Sequence, residues 1–148
     1  MIKALGLDVG DTKIGVAVSD GLGYTAQGVT TFKRSSLQRD LGTIQQLIRK
    51  NDVSEVVIGL PLKMDGQYSS QTRKVLAFCR YLTRHLRVPV RTWDERLTTV
   101  QAIKILKKVR VRRKNRAFLI DKVAAVIILQ GYLDRKNIMR DTDLAVSA

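Results

Sequence analysis

Three carboxylates in this chain stand where a carboxylate is costly. Asp8 ends the apolar run of residues 2–7, Glu95 follows the short strand-like run 90–94, and Asp121 opens the apolar stretch 123–129. A buried carboxylate needs a cation or a metal to offset its desolvation; otherwise its pKa rises and it stays protonated. Three such acids at the ends of elements suggest a cation site. The rest of the chain is strongly basic, with 27 Lys and Arg against 13 Asp and Glu and a formal net charge of +14. An acidic pocket on a basic body points to metal-dependent chemistry on a phosphate backbone. The charge excess implies a polyanionic partner, nucleic acid before anionic membrane.

The densest charge lies in residues 104–116. Lys104, Lys107, Lys108, Arg110, Arg112, Arg113, Lys114 and Arg116 make eight of those thirteen residues basic, and none is acidic. Such a block cannot bury its own core and is expected as an exposed helix end and loop. Its functional reading is a phosphate clamp beside Asp121; its plain reading is a solvated face. Aromatic residues are absent from it, so base stacking is not indicated.

The remaining reactive residue types are few. His85 is the single histidine, on a helix rich in Lys and Arg far in sequence from the acids, and reads as a surface residue. Cys79 is the single cysteine and falls on an apolar helical stripe, so it reads as core. One cysteine excludes an intramolecular disulfide, in keeping with a reducing compartment. Any catalysis therefore falls to the carboxylates, with metal.

The elements that would position them follow from periodicity. Residues 2–9 read as a central strand, apolar on both faces. A turn at 10–13, a strand at 14–19, a turn at 20–23 and a more polar strand at 24–33 complete a meander. The period then becomes helical at Leu37, Leu41, Ile44, Leu47 and Ile48, with Ser35 or Ser36 as N-cap. A strand at 55–60, a helix at 69–86, a strand at 90–94, a basic-sided helix at 97–108 and a buried helix at 118–134 follow. The expected architecture is α/β, a mixed five-stranded sheet flanked by helices, in one domain over residues 1–138 with a frayed tail at 139–148. The longest apolar run is seven residues, 123–129, against the roughly 20 that cross a bilayer. With no leader-like start, the protein is expected in the cytoplasm.

Three local patterns frame the acids. In 6–15, Asp8 shares a strand face with Ala4 and Gly6, which leave room beside it. A hairpin turn with a capping acid explains that segment about as well. In 93–99, Asp94 and Glu95 are adjacent in a strand and point to opposite faces, so only one of them can reach a shared site. In 120–125, Ala125 lies one turn beyond Asp121 and lets the helix press close to a sheet, while a first-turn acid that favours the helix dipole is the simpler account of Asp121 itself.

Four motifs in order carry a resemblance. Gly6-Leu7-Asp8 with 14–20, Val57-Ile58-Gly59-Leu60-Pro61-Leu62 with Asp65-Gly66, Asp94-Glu95-Arg96-Leu97-Thr98-Thr99, and Ile120-Asp121 with Ala124-Ala125, 128–130 and 132–134 together resemble the YqgF family, also known as a Holliday junction resolvase family. The resemblance spans residues 4–134. It implies a ribonuclease H-like fold and a nuclease site in which Asp8, Glu95 and Asp121 are the catalytic, metal-binding acids. Gly10, Lys13, Arg96 and Thr98 would support them, and the 104–116 cations would hold nucleic acid. It further implies processing of the 5′ end of pre-16S ribosomal RNA, or, on an older assignment, cutting of four-way DNA junctions.

In that reading Mg²⁺ or Mn²⁺ serves as cofactor, with two ions about 3.5–4 Å apart. Asp8 would bridge them, and Glu95 and Asp121 would each complete one. The partner is structured RNA or branched DNA, and the protein a monomer or weak homodimer. The chain departs from the family's usual first turn, Gly-Thr-Lys-Arg, reading Gly10-Asp11-Thr12-Lys13, and has no glycine at 109–111 before the basic run's end. Two rival classes remain: a nucleic-acid-binding factor without catalysis, and a sugar kinase of the actin-like type, for which 148 residues supply only one lobe.

Overall fold

The computed structural model describes residues 3–97 and 114–147, with side chains over 3–97 and 120–142. Five strands form one mixed sheet: β1 (Ala4–Val9), β2 (Lys13–Ser19), β3 (Ala26–Lys33), β4 (Glu55–Leu60) and β5 (Val90–Asp94), in the order β3-β2-β1-β4-β5. The first three pair antiparallel, and β4 and β5 extend the sheet in parallel with β1. The meander and the central place of the first strand are as its sequence predicts. Every residue of β1 and β4 is buried, because helices cover both faces.

On one face lie α1 (Leu37–Lys50) and α2 (Ser70–His85). Ser36 caps α1 by accepting from the Arg39 amide. Ser69 caps α2 in a reciprocal pair with Thr72, whose hydroxyl also donates to the Pro61 carbonyl. These helices close a core of Leu5, Leu7, Val9, Ile14, Val16, Val56 and Ile58 from the strands with Ile44, Val75, Phe78 and Leu82. Cys79 lies in this core, and burial pushes its thiol up to about 11, so it is an unreactive packing residue. His85 is exposed at the end of α2, beside the Tyr81 ring.

The last helix, α3 (Lys114–Ser147), crosses the opposite face. It is longer at both ends than the 118–134 its apolar pattern predicts. Beyond residue 134, Asn137 donates to the Gly23 carbonyl at 3.0 Å and the Arg140 guanidinium stacks over Tyr24 at 5.8 Å. Of these two residues, Arg140 lies in the 139–148 stretch that the sequence suggests is frayed. Glu55, buried at the start of β4, anchors α3 further through Lys136 at 2.8 Å and Tyr132 at 3.0 Å, with Arg91 at 3.1 Å. No described helix is long and apolar enough to cross a membrane. The helix expected at 97–108 falls on residues outside those described, apart from a 3-10 turn at Glu95–Leu97.

Candidate active site

The face under α3 is built for close approach. Strand alternation puts Ala4, Gly6 and Asp8 of β1 there, with Gly15 and Ala17 of β2 and Val57 and Gly59 of β4. A methyl group on Gly15 would collide with the Asp121 carbonyl, and one on Gly6 would stand 2.7 Å from Leu129 Cβ. One on Gly59 would collide with Ile128 and stand 2.7 Å from Glu95 Oε1. Ala124 and Ala125 are fully buried on the facing side of α3. Small residues on both partners thus bring the helix backbone down onto the strands.

The three acids are all buried on this face. Asp8 is 4% exposed, Glu95 1% and Asp121 5%. Asp8 is the direct partner of Gly15 across the β1–β2 ladder, and Gly15 carries the Asp121 backbone above it. On the other side, one step beyond the Leu7–Ile58 register, Asp8 comes alongside Gly59, over which Glu95 Oε1 lies. Asp8 is therefore central, with Asp121 toward β2 and Glu95 toward β4 and β5. Among the described residues no three His, Cys, Asp or Glu side chains stand together at metal-ligating spacing. The acids share a face and a burial depth without converging on one point.

Asp121 is not a first-turn acid. With α3 starting at Lys114, it sits two turns into the helix, outside the reach of the helix N-terminal dipole, which falls off within the first turn. The simple account offered by the sequence fails, and a buried mid-helix carboxylate whose backbone lies over Gly15 stands in its place.

Asp94 and Glu95 divide where β5 ends, Asp94 closing the strand and Glu95 opening the 3-10 turn. Glu95 turns under α3, while Asp94 takes Arg96. The guanidinium approaches Asp94 at 2.7 Å and 3.1 Å, and the Arg96 amide donates to Asp94 Oδ1 at 2.9 Å. This forked contact holds the Asp94 carboxyl below its ordinary value. Arg96 Nη1 also donates to the Met64 carbonyl at 3.2 Å. Arg96 thus ties the turn bearing Glu95 to the 63–67 loop, where Gly66 has φ +86° and supplies the left-handed conformation.

A second buttress escaped the sequence reading. Arg34 Nη1 donates to the Gly10 carbonyl at 3.0 Å and the Arg34 amide to the Thr12 carbonyl at 2.8 Å. Its Nε meets buried Asp40 at 3.2 Å, and its plane covers Phe78 at 4.7 Å. Gly10 closes the turn by donating to the Lys13 carbonyl at 2.9 Å. So the turn after Asp8 is clamped by a cation from β3's exit and an acid from α1. The only sequence signal was an acid at an otherwise exposed first turn of a helix. Of the other expected site residues, Lys13 continues the Gly15 side of β2 toward the open end of the sheet. Thr98, Lys104, Lys107, Lys108, Arg110, Arg112 and Arg113 lie outside the described residues, as do the side chains of Lys114 and Arg116.

Chemically, the donor set consists of hard carboxylate oxygens, which suit Mg²⁺ or Mn²⁺ over softer ions. The glycine at 59 leaves the space beside Glu95 that a side chain would fill. The residues present fit such ions in kind.

Comparison with known proteins agrees with the fold and motifs. Residues 2–135 match the family model described as RuvX: Holliday junction resolvase. A protein of Clostridium acetobutylicum named "Putative pre-16S rRNA nuclease" is 47% identical over 133 residues, covering 90% of this chain and 98% of its own length. One of the same name from Clostridium botulinum is also 47% identical, covering 90% and 97%. The Thermus thermophilus RuvC structure in complex with Holliday junction substrate superposes with a TM-score of 0.53 at 12% identity, over 92% of this chain and 96% of that one. That likeness carries the fold, and the ribonuclease H-like architecture expected from the motifs is borne out.

Proposed function

The chain belongs to the RuvX family of nucleases, and we propose that it is a metal-dependent endonuclease that trims the 5′ end of pre-16S ribosomal RNA, with Asp8, Glu95 and Asp121 as its catalytic and metal-binding acids. The observation that carries this reading is the burial of all three carboxylates on the one sheet face that glycines keep open. A protein that only bound nucleic acid would gain nothing from acids placed against a phosphate backbone. The substrate is taken from the names of relatives that align over nearly their whole length.

Divalent ions, when bound, would polarise the scissile phosphate and lower the pKa of the attacking water. The chain's own part is positional. Asp8 is fixed by the central strand and by the Arg34-clamped turn, Glu95 by the Arg96 tie, and Asp121 by the alanine-lined contact of α3. Cations of the 104–116 run would hold the flanking phosphates. The protein would act as a monomer or weak homodimer in the cytoplasm.

The test incubates the protein with Mn²⁺ or Mg²⁺, a labelled pre-16S leader RNA and a DNA four-way junction, with Asp8→Asn in parallel. RNA cleavage lost in the variant is the expected result. Paired junction cuts, likewise lost, would move the substrate to branched DNA and require a dimer. Cleavage that persists in Asp8→Asn would sink the assignment of the acids.

A further inference from the structure

The loop between β4 and α2, residues 61–69, is tied down along its backbone while its apolar side chains face solvent. Leu62 and Tyr68 pair across it as an antiparallel bridge. Inside that bridge the Lys63 amide donates to the Gln67 carbonyl at 3.0 Å and the Gly66 amide to the Lys63 carbonyl at 2.8 Å. The Gln67 amide donates to Asp65 Oδ1 at 3.0 Å. Thr72 holds one end through the Pro61 carbonyl, and Arg96 holds the tip through the Met64 carbonyl. Yet Met64 is 77% exposed and Tyr68 52%. Among the described residues the Tyr68 ring meets no other ring and its hydroxyl no hydrogen-bond partner. A loop fixed this firmly around side chains that add nothing to the core is preorganised for a ligand.

The loop stands at the end of the sheet that holds the acids. Strands β1, β4 and β5 run parallel, so Asp8, this loop and the Glu95 turn all lie at their carboxyl ends, where α/β sheets gather ligands. The Arg96 guanidinium, 3.2 Å from where a Cβ on Gly66 would stand, joins that turn to the loop. Leu97, exposed beside Arg96, adds a third apolar side chain to the rim. Charge here is balanced: the loop carries one cation, Lys63, and one acid, Asp65, and Arg96 is paired with Asp94. Attraction for phosphate is therefore not its main property. An exposed tyrosine beside methionine and leucine suits the uncharged face of a nucleobase. Paired bases keep their faces inside the stack, so the base that fits is an unpaired one.

We infer that Tyr68 and Met64, with Leu97, form a stacking ledge on the Glu95 flank of the acid face, which receives an unpaired base of the strand being cut. This deepens the nuclease reading and rests on it. The substrate is then a single-stranded stretch or a splayed nucleotide. The ledge also supplies the aromatic contact that the 104–116 run lacks.

The test separates stacking from charge. Asp8→Asn protein, alone and with Tyr68→Ala, Tyr68→Phe or Met64→Ala added, is titrated over a range of salt with three probes. These are unpaired leader RNA, the same RNA annealed to its complement, and copies carrying one abasic site stepped along the sequence. Loss of a base–aromatic contact lowers affinity by about five- to a hundredfold. Tyr68→Ala is expected to lose that much on the unpaired RNA and Met64→Ala less, while Tyr68→Phe binds like the parent. The slope of log affinity against log salt should not change, because no phosphate contact is lost. On the duplex, parent and Tyr68→Ala should bind alike. One abasic position should weaken the parent and not Tyr68→Ala. Thermal midpoints should agree throughout, since both side chains lie outside the core. Unchanged affinity of Tyr68→Ala for the unpaired RNA would overturn the ledge and leave the nuclease reading intact. Equal losses on unpaired and duplex RNA, or a loss with a shallower salt slope, would overturn it too. Failure of the Asp8→Asn protein to bind any of these RNAs would overturn both.

Discussion

Gly15 lies directly beneath the backbone carbonyl of Asp121, so that a β-strand and a helix touch main chain to main chain beside Asp8. Backbone cannot swing aside as a side chain can. Gly15→Ala should therefore destabilise the fold by about 3 kcal/mol, at the upper end of overpacking costs. Urea unfolding checks this; an unchanged midpoint would show that α3 is free to lift.

Asp8→Asn is nearly isosteric and should leave the unfolding midpoint of the metal-free protein unchanged or higher, since it relieves repulsion among three acids. Cleavage should fall by more than the roughly 10–100-fold associated with outer partners of a metal site. Mg²⁺ or Mn²⁺ should raise the midpoint of the wild-type protein and not of the variant. Equal shifts in both would remove Asp8 from the metal site.

Arg34→Met leaves Asp40, which is 3% exposed, without its guanidinium. Breaking a buried pair from one side typically costs about 3–5 kcal/mol. The double change Arg34→Met with Asp40→Leu should recover part of that loss in stability but not activity, because the Gly10 carbonyl still lacks its clamp. Activity restored along with stability would show that the clamp has no part in positioning Asp8.

The Glu55 network gives a pH signature. Burial raises the Glu55 pKa, but hydrogen bonds from Lys136, Tyr132 and Arg91 outweigh it, and the carboxyl ends below its ordinary 4.5. A depressed folded-state value stabilises the protein above pH 4.5, and that contribution is lost as pH falls through the lower folded value. Glu55→Gln should remove about 1–3 kcal/mol at neutral pH and flatten the acid limb of a stability–pH profile. A variant profile parallel to the wild type would show that other acids set that limb.

Much of the site was legible because it obeys strand alternation. The apolar run of 2–7 predicts a central β1, and its even-numbered small residues predict the face on which Asp8 lies. The two acids at 94 and 95 do part, but at the end of β5, where Glu95 opens a 3-10 turn. The place of Asp121 within its helix was misjudged because that helix starts at Lys114, inside a run whose charge reads as loop. Charge density reports solvation, not backbone geometry. Arg34 and Asp40 were missed because each looks ordinary in sequence, and only the fold of α1 against the first turn makes them a pair. The contacts of α3 beyond residue 134 were not legible for a similar reason: Gly23 and Tyr24, more than a hundred residues earlier, supply them.

The order of the acids along the chain has a consequence for synthesis. Asp8 is made early and Asp121 last, and the face between them is closed by the final described helix. The face that holds the three acids therefore stays open until α3 has been made, so the proposed site cannot assemble on a nascent chain that stops short of that helix.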